Sequence, residues 1–187
     1  MNFEELKQHY STCSKCTELC KNRTQVVFGS GNPNSDILLI GEAPGANEDK
    51  QGVPFCGMSG KILTELLNSV NLSREDIFIT NTVLCRPEDN RNPKKDEIEN
   101  CRERLDQLIE VMQPKVIVTI GNFATERIIG KTGIKSIRGQ MFDFRGITVV
   151  PVVHPASYLY SVRNPEMFAQ MKSDFEVIAK LVSDNIK

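Results

Sequence analysis

The chain has 187 residues, 40% of them hydrophobic, and a formal net charge of −1. That length and apolar content suit one compact α/β domain spanning residues 1–187. The near-neutral charge argues against a surface that is basic throughout, while a local basic groove could still grip a few phosphates. No apolar run approaches the roughly 18 residues of a membrane span.

The opening residues, MNFEELKQHYSTC, mix charged with apolar positions and lack the apolar core of a signal peptide. A cytoplasmic address and reduced thiols are therefore expected, so the six cysteines are not read as three disulfides. Cys13 and Cys16 form a C-x-x-C, with Cys20 close behind. A first buried strand follows at Ile37–Ile40, ending in Gly41-Glu42-Ala43-Pro44-Gly45. The spacing predicts a helix over 59–71, then a second strand at Ile77–Thr80 that runs into Asn81 and Cys85. Residues 93–112 read as one amphipathic helix: Pro93 suits its first turn, and Ile98, Cys101, Leu105, Leu108 and Met112 share a face. A third strand, Val116–Ile120, leads through Gly121-Asn122 into a helix over 121–130. The fourth strand, Ile147–Val153, ends at His154-Pro155, and a last helix runs from about 164 to the end.

Near-continuous β-branched strands alternating with helices predict a three-layer αβα domain around a four-stranded, mainly parallel sheet. In such sheets ligands bind beyond the carboxyl ends of the strands. Glu42, Asn81, Asn122 and His154 follow the four strands there. The basic residues divide into two groups, Lys21, Arg23, Arg86, Arg91, Lys94 and Lys95 near these motifs and Lys131, Lys135 and Arg138 further on; charge alone decides nothing. Early cysteines combined with the distant Cys85 and Cys101 could supply four thiolates, and their spacing does not separate zinc from iron–sulfur. Cys20 and Cys56 read as small hydrophobes.

The ordered set C-x-x-C, GEAPG, ED-x-x-G-x-PF-x-G, N-x-x-x-CRP-x-x-NR and a final HP, between Cys13 and about Pro165, resembles the family 4 uracil-DNA glycosylases. The segment Asn22–Gly29 resembles the same family. The resemblance implies a [4Fe–4S] cluster on Cys13, Cys16, Cys85 and Cys101, structural in role, and an enzyme that cuts uracil from single- or double-stranded DNA; a monomer is the default expectation. It also implies a uracil pocket in which Phe55 stacks on the base. Asn81 would donate to O4 and accept from N3–H, a pattern cytosine reverses, at a cost of about 1–3 kcal/mol for the buried groups left unpaired. His154 would donate to O2 as charge builds on the leaving base. Gly41 and Ala43 would line the substrate. Ala43 takes a position where other uracil glycosylases carry an aspartate, so water positioning passes to Glu42 or to backbone groups. Glu48 is the other candidate carboxylate, or else fills the space a thymine methyl would need.

In the loop after His154, Leu159 is the expected wedge into the duplex. Leu84, in place of a frequent lysine, and Glu88, in place of a proline, depart from the family pattern. A related group holds uracil-DNA covalently through a histidine in a basic loop near the position of Pro87–Pro93, but the sequence there, RPEDNRNP, contains none. A second rival is a non-enzymatic cluster or zinc protein, for which Phe55, Asn81 and His154 would be coincidences.

Overall fold

The computed structural model describes residues 1–184. In chain order the elements are α1 (Phe3–Tyr10), α2 (Thr17–Asn22), β1 (Ser30–Gly31), β2 (Ile37–Gly41), α3 (Ala46–Gln51), α4 (Met58–Ser69) and β3 (Phe78–Asn81). There follow α5 (Lys95–Asn100), α6 (Arg102–Met112), β4 (Val116–Ile120), α7 (Gly121–Ile129), α8 (Ile134–Ile137), β5 (Phe142–Phe144), β6 (Ile147–Val152), α9 (Ala156–Tyr160) and α10 (Pro165–Asp184). The expected end of the terminal helix at 185–187 lies outside the described residues.

The strands form one sheet in the order β1-β3-β2-β4-β6-β5. The central four, β3, β2, β4 and β6, are parallel, and the two edges pair antiparallel. The sheet is therefore six-stranded rather than the expected four-stranded. Both additions are short and lack the apolar run that marks a central strand. The second one did carry a signal: Phe142-Asp143-Phe144 alternates, and the two-residue turn Arg145-Gly146 has positive φ at both positions (51° and 85°), as a type I′ hairpin requires.

Side-chain alternation divides the core cleanly between the faces of the sheet. Leu38, Ile40, Phe78, Ile117 and Val149 point to one face and pack with Leu6, Leu105, Leu108 and Ile128. Ile37, Leu39, Ile79, Val118 and Val150 point to the other and pack with Leu63, Leu66, Phe175 and Ile178. Helices thus cover both faces, giving the three layers expected.

The expected 93–112 helix is interrupted at Cys101, which ends α5 and opens α6 with φ −93° and ψ −1°. Its N–H is shared between the carbonyls of Glu97 and Ile98, each at 3.2 Å. No glycine or proline marks the bend. The buried face also differs from the periodic one: Ile98 is half-buried, whereas Glu97 and Arg104 are buried beside Cys101, Leu105 and Leu108. Leu66 is fully buried on the opposite layer. Leu66→Ala is expected to cost about 2–5 kcal/mol of stability, measured as a lower denaturation midpoint with the slope unchanged.

Candidate active site

β2 lies between β3 and β4: the chain passes from β2 to β3 on one side and then crosses from β3 to β4 on the other, and the crevice above the carboxyl ends at that reversal is the site such sheets offer. Gly41 and Asn81 are register partners at that end. A groove of about 660 Å³ opens there, lined by Glu42–Glu48, Phe55, Asn81 and His154, together with Asn90–Asn92, Ser157, Leu159 and Tyr160.

Asn81 is only 2% exposed, and its Oδ1 is buried with no hydrogen-bond partner. A buried acceptor left empty is costly unless something arrives to fill it. Gly41 makes room for this arrangement: a Cβ there would lie 2.5 Å from Asn81 Oδ1 and 2.7 Å from the Phe55 ring. Phe55 itself adopts φ 51°, a strained value for an aromatic residue. Its ring stacks on that of His154, with centroids 5.6 Å apart and 30° between planes. Arg74 holds the same turn, Nη2 donating to Pro54 O at 2.9 Å.

His154 Nδ1 accepts the Ala156 N–H at 3.0 Å. An accepting Nδ1 leaves the ring proton on Nε2, so the neutral imidazole is a donor through that atom. Burial lowers the His154 pKa from 6.5 to about 4. Burial also raises the Glu42 pKa above the ordinary carboxylate value. The Glu42 backbone is fixed from the neighbouring strand, its carbonyl accepting Val83 N–H at 3.1 Å, while Gly41 O accepts from Thr82 N and Oγ1, both at 2.8 Å.

Glu48 braces the groove's loops. Oε1 accepts Gly45 N–H at 3.0 Å, and Oε2 accepts the N–H groups of Cys56 (3.3 Å) and Gly57 (3.1 Å) and the Cys56 thiol (3.3 Å). One carboxylate thus joins the start of α3 to the start of α4. Ala43 lines the groove beside it. Asn122 is turned elsewhere, its Oδ1 accepting Ile134 N–H at the start of α8. Leu159 packs half-buried against the second core layer because α9 turns it inward. The exposed apolar residues of that loop are Tyr160 (86%) and Val162 (90%).

Cys13, Cys16, Cys85 and Cys101 line one small cavity between the N-terminal segment and the α5–α6 bend, together with Arg23, Asn100 and Arg104. Cys20 and Cys56 are outside it. Among the described residues no three His, Cys, Asp or Glu side chains converge tightly enough to hold a single metal ion. Donors nevertheless face the sulfurs: Arg23 Nη1 donates to Cys85 Sγ at 3.2 Å and Asn100 Nδ2 to Cys16 Sγ at 3.5 Å. Such contacts suit thiolates. Left as free thiols, Cys16 and Cys85 are pushed by burial up to about 11.

A family model described as the uracil DNA glycosylase superfamily matches residues 28–176. A type-4 uracil-DNA glycosylase of Sulfurisphaera tokodaii is 40% identical over 96% of this chain and 84% of its own length. Those of Archaeoglobus fulgidus and Thermotoga maritima are 37% and 40% identical, over 96% and 93% of this chain and 93% and 91% of their own. The chain belongs to the type-4 uracil-DNA glycosylase family.

Three residues that shape this glycosylase-family site were given no site role by the sequence: Arg104 lies outside every motif, while Asp49 and Arg91 stand inside the ED-x-x-G and NR segments. Arg104, fully buried on α6, donates through Nη2 to Asn81 O (2.7 Å) and Thr82 O (3.0 Å) and through Nη1 to Thr80 Oγ1 (3.3 Å). Its signal was positional: it lies three residues after Cys101 and four before Leu108, on the apolar face. Asp49, 4% exposed, accepts Thr24 N–H at 2.8 Å and so ties the segment after α2 to α3. Arg91, one of the cations near the motifs, forms a bidentate pair with buried Glu97, both contacts 2.8 Å, at the groove margin.

The His154 shift has a stability consequence. Its folded pKa is depressed, so the unfolded chain takes up a proton first as pH falls. Stability held in the neutral ring is complete above about 6.5 and drains away as pH falls towards about 4. An NMR titration is expected to show a neutral ring protonated at Nε2 down to about pH 4. A midpoint near 6.5 would contradict the burial argument.

Proposed function

We propose that this chain is a monofunctional uracil-DNA glycosylase, hydrolysing the N-glycosidic bond of uracil in DNA and leaving an abasic site for base excision repair. The observation that carries the reading is the empty, buried Oδ1 of Asn81 in a groove that also holds an aromatic face and a neutral imidazole donor. Chemistry on a base requires taking it out of the stack into such a pocket.

Uracil presents N3–H between two carbonyl oxygens. Asn81 Oδ1 accepts N3–H, and the same amide donates to O4; cytosine offers an acceptor at N3 and an amine at C4, mismatching both groups. Phe55 supplies the stacking face. As the glycosidic bond lengthens, negative charge gathers on the base, and the Nε2–H of His154 is the donor for O2. A fixed donor aimed at developing charge is typically worth about 10²–10³ in rate. Glu42, ionised, orients the attacking water. Glu48, held by three backbone N–H groups, forms a rigid wall against a thymine methyl, and Gly41 and Ala43 keep the backbone close to the base.

Cys13, Cys16, Cys85 and Cys101 are the residues that would hold a [4Fe–4S] cluster. Four thiols that surround a cavity without meeting at a point suit a polynuclear group better than one zinc ion, whose Zn–S bonds are about 2.3 Å. Bound there, the cluster supplies a covalent clamp between the N-terminal segment and the α5–α6 bend. The chain acts as a monomer in the cytoplasm, where its thiols stay reduced; among the described residues no helix is long and apolar enough to cross a membrane.

Uracil release from a single-stranded oligonucleotide is expected for the wild type, with Asn81→Ala and His154→Ala each slowed about 10²–10³-fold. The wild-type rate is expected to fall on acidification below the raised Glu42 pKa, and Glu42→Gln to remove that limb. Tight binding without release would overturn the enzymatic reading in favour of a binding protein. Separately, purified protein is expected to contain iron and acid-labile sulfide, and Cys85→Ser to lose both. Stoichiometric zinc in their place would sink the cluster assignment.

A further inference from the structure

Arg104 is a buried cation without a buried anion. Its exposure is 0%, its partners Thr80, Asn81 and Thr82 are neutral, and it forms no ion pair among the described residues. Its Nε is buried with no hydrogen-bond partner. A charge so placed is costly unless an opposite charge stands nearby. Arg104 also lines the cavity of Cys13, Cys16, Cys85 and Cys101. An iron–sulfur centre held by four thiolates would carry net negative charge and so supply the missing counter-charge in a low-dielectric surrounding.

We propose that Arg104 is a positioning residue for Asn81: with the cysteine-bound centre as its counter-ion, it pins the Asn81–Thr82 backbone and thereby aims the Asn81 amide. This rests on the assignment of Asn81 and the four cysteines above. The geometry favours arginine for the task. One Nη2 bridges the carbonyls of two consecutive residues, and the planar fork keeps Nη1 for Thr80, which a lysine ammonium does not reproduce. The pinning propagates, because Thr82 N and Oγ1 hold Gly41 O, and Val83 N holds Glu42 O. Arg104 thereby sets the floor of the groove from behind, without touching the base.

The test is a double-mutant cycle on the iron-loaded protein, comparing wild type, Arg104→Met, Asn81→Ala and the double variant in single-turnover uracil release. Arg104→Met is expected to retain its fold, slow release by about 10- to 100-fold, and expose the Thr82 and Val83 amides to faster hydrogen exchange. Arg104→Lys is expected to recover part of the rate. Since Arg104 acts through Asn81, the double variant is expected to be no slower than Asn81→Ala alone. Losses that multiply in the double variant overturn the proposal while leaving the assignment of Asn81 standing. A wild-type rate for Asn81→Ala overturns both. Purified wild type without iron overturns the counter-ion. Should neither Arg104 variant fold, native-state exchange of the wild type decides. Thr82 and Val83 are expected to open only together with Leu105 and Leu108 of α6, and earlier, separate opening overturns the anchor.

Discussion

Gly41 and Asn81 face each other at the ends of two parallel strands, and the missing side chain at Gly41 is the constraint on which the groove depends. With a Cβ there, neither the Asn81 amide nor the Phe55 ring could occupy its position. Gly60 adds a second close approach, since a Cβ on it would overlap the Phe55 carbonyl at 1.8 Å. Phe55 is therefore held in a left-handed conformation between two glycines, with Arg74 fastening the preceding carbonyl. Strain of this kind persists only where the surroundings over-determine it, and the loops around Glu48 do so.

The polar groups of the site are organised from behind as much as from within. Glu48 joins two helix starts, Asp49 ties the segment after α2 to α3, and Arg104 fastens the end of β3. Each contact is a charged side chain engaged by backbone, and Glu42, Asn81 and His154 are among the polar groups lining the groove. The cysteine cavity and the groove are separate spaces, with Arg104 lining the first and fastening the Asn81 carbonyl beneath the second.

Much of this was legible in the sequence. The four central strands announced themselves because burial on both faces demands continuous apolar residues, and the polar residues following them fell on one edge because the strands are parallel. Ile37–Ile40 and Val116–Ile120 needed almost no adjustment. The edges were less visible, for β1 has two residues and β5 three, too few to build a periodic signal. Nor could periodicity show the bend at Cys101, which no breaker residue marks. It also placed Ile98 on the buried face where Glu97 lies, since the carboxylate is buried through pairing with Arg91 and the N–H of Lys94. Leu159 and the exposed Tyr160 are adjacent in sequence, and only the turn of α9 distinguishes them.

The fixed tautomer of His154 separates two properties that nucleic-acid enzymes usually combine. A neutral ring with Nδ1 engaged by Ala156 adds nothing to the attraction between protein and phosphate backbone. Grip on DNA therefore falls to other groups, and where those are cations dissolved ions displace that grip steeply. A dipole contact in the buried floor of the groove is screened much less. Ionic strength thus governs how often the molecule holds its polymer, and leaves almost untouched what happens once a base has been drawn in.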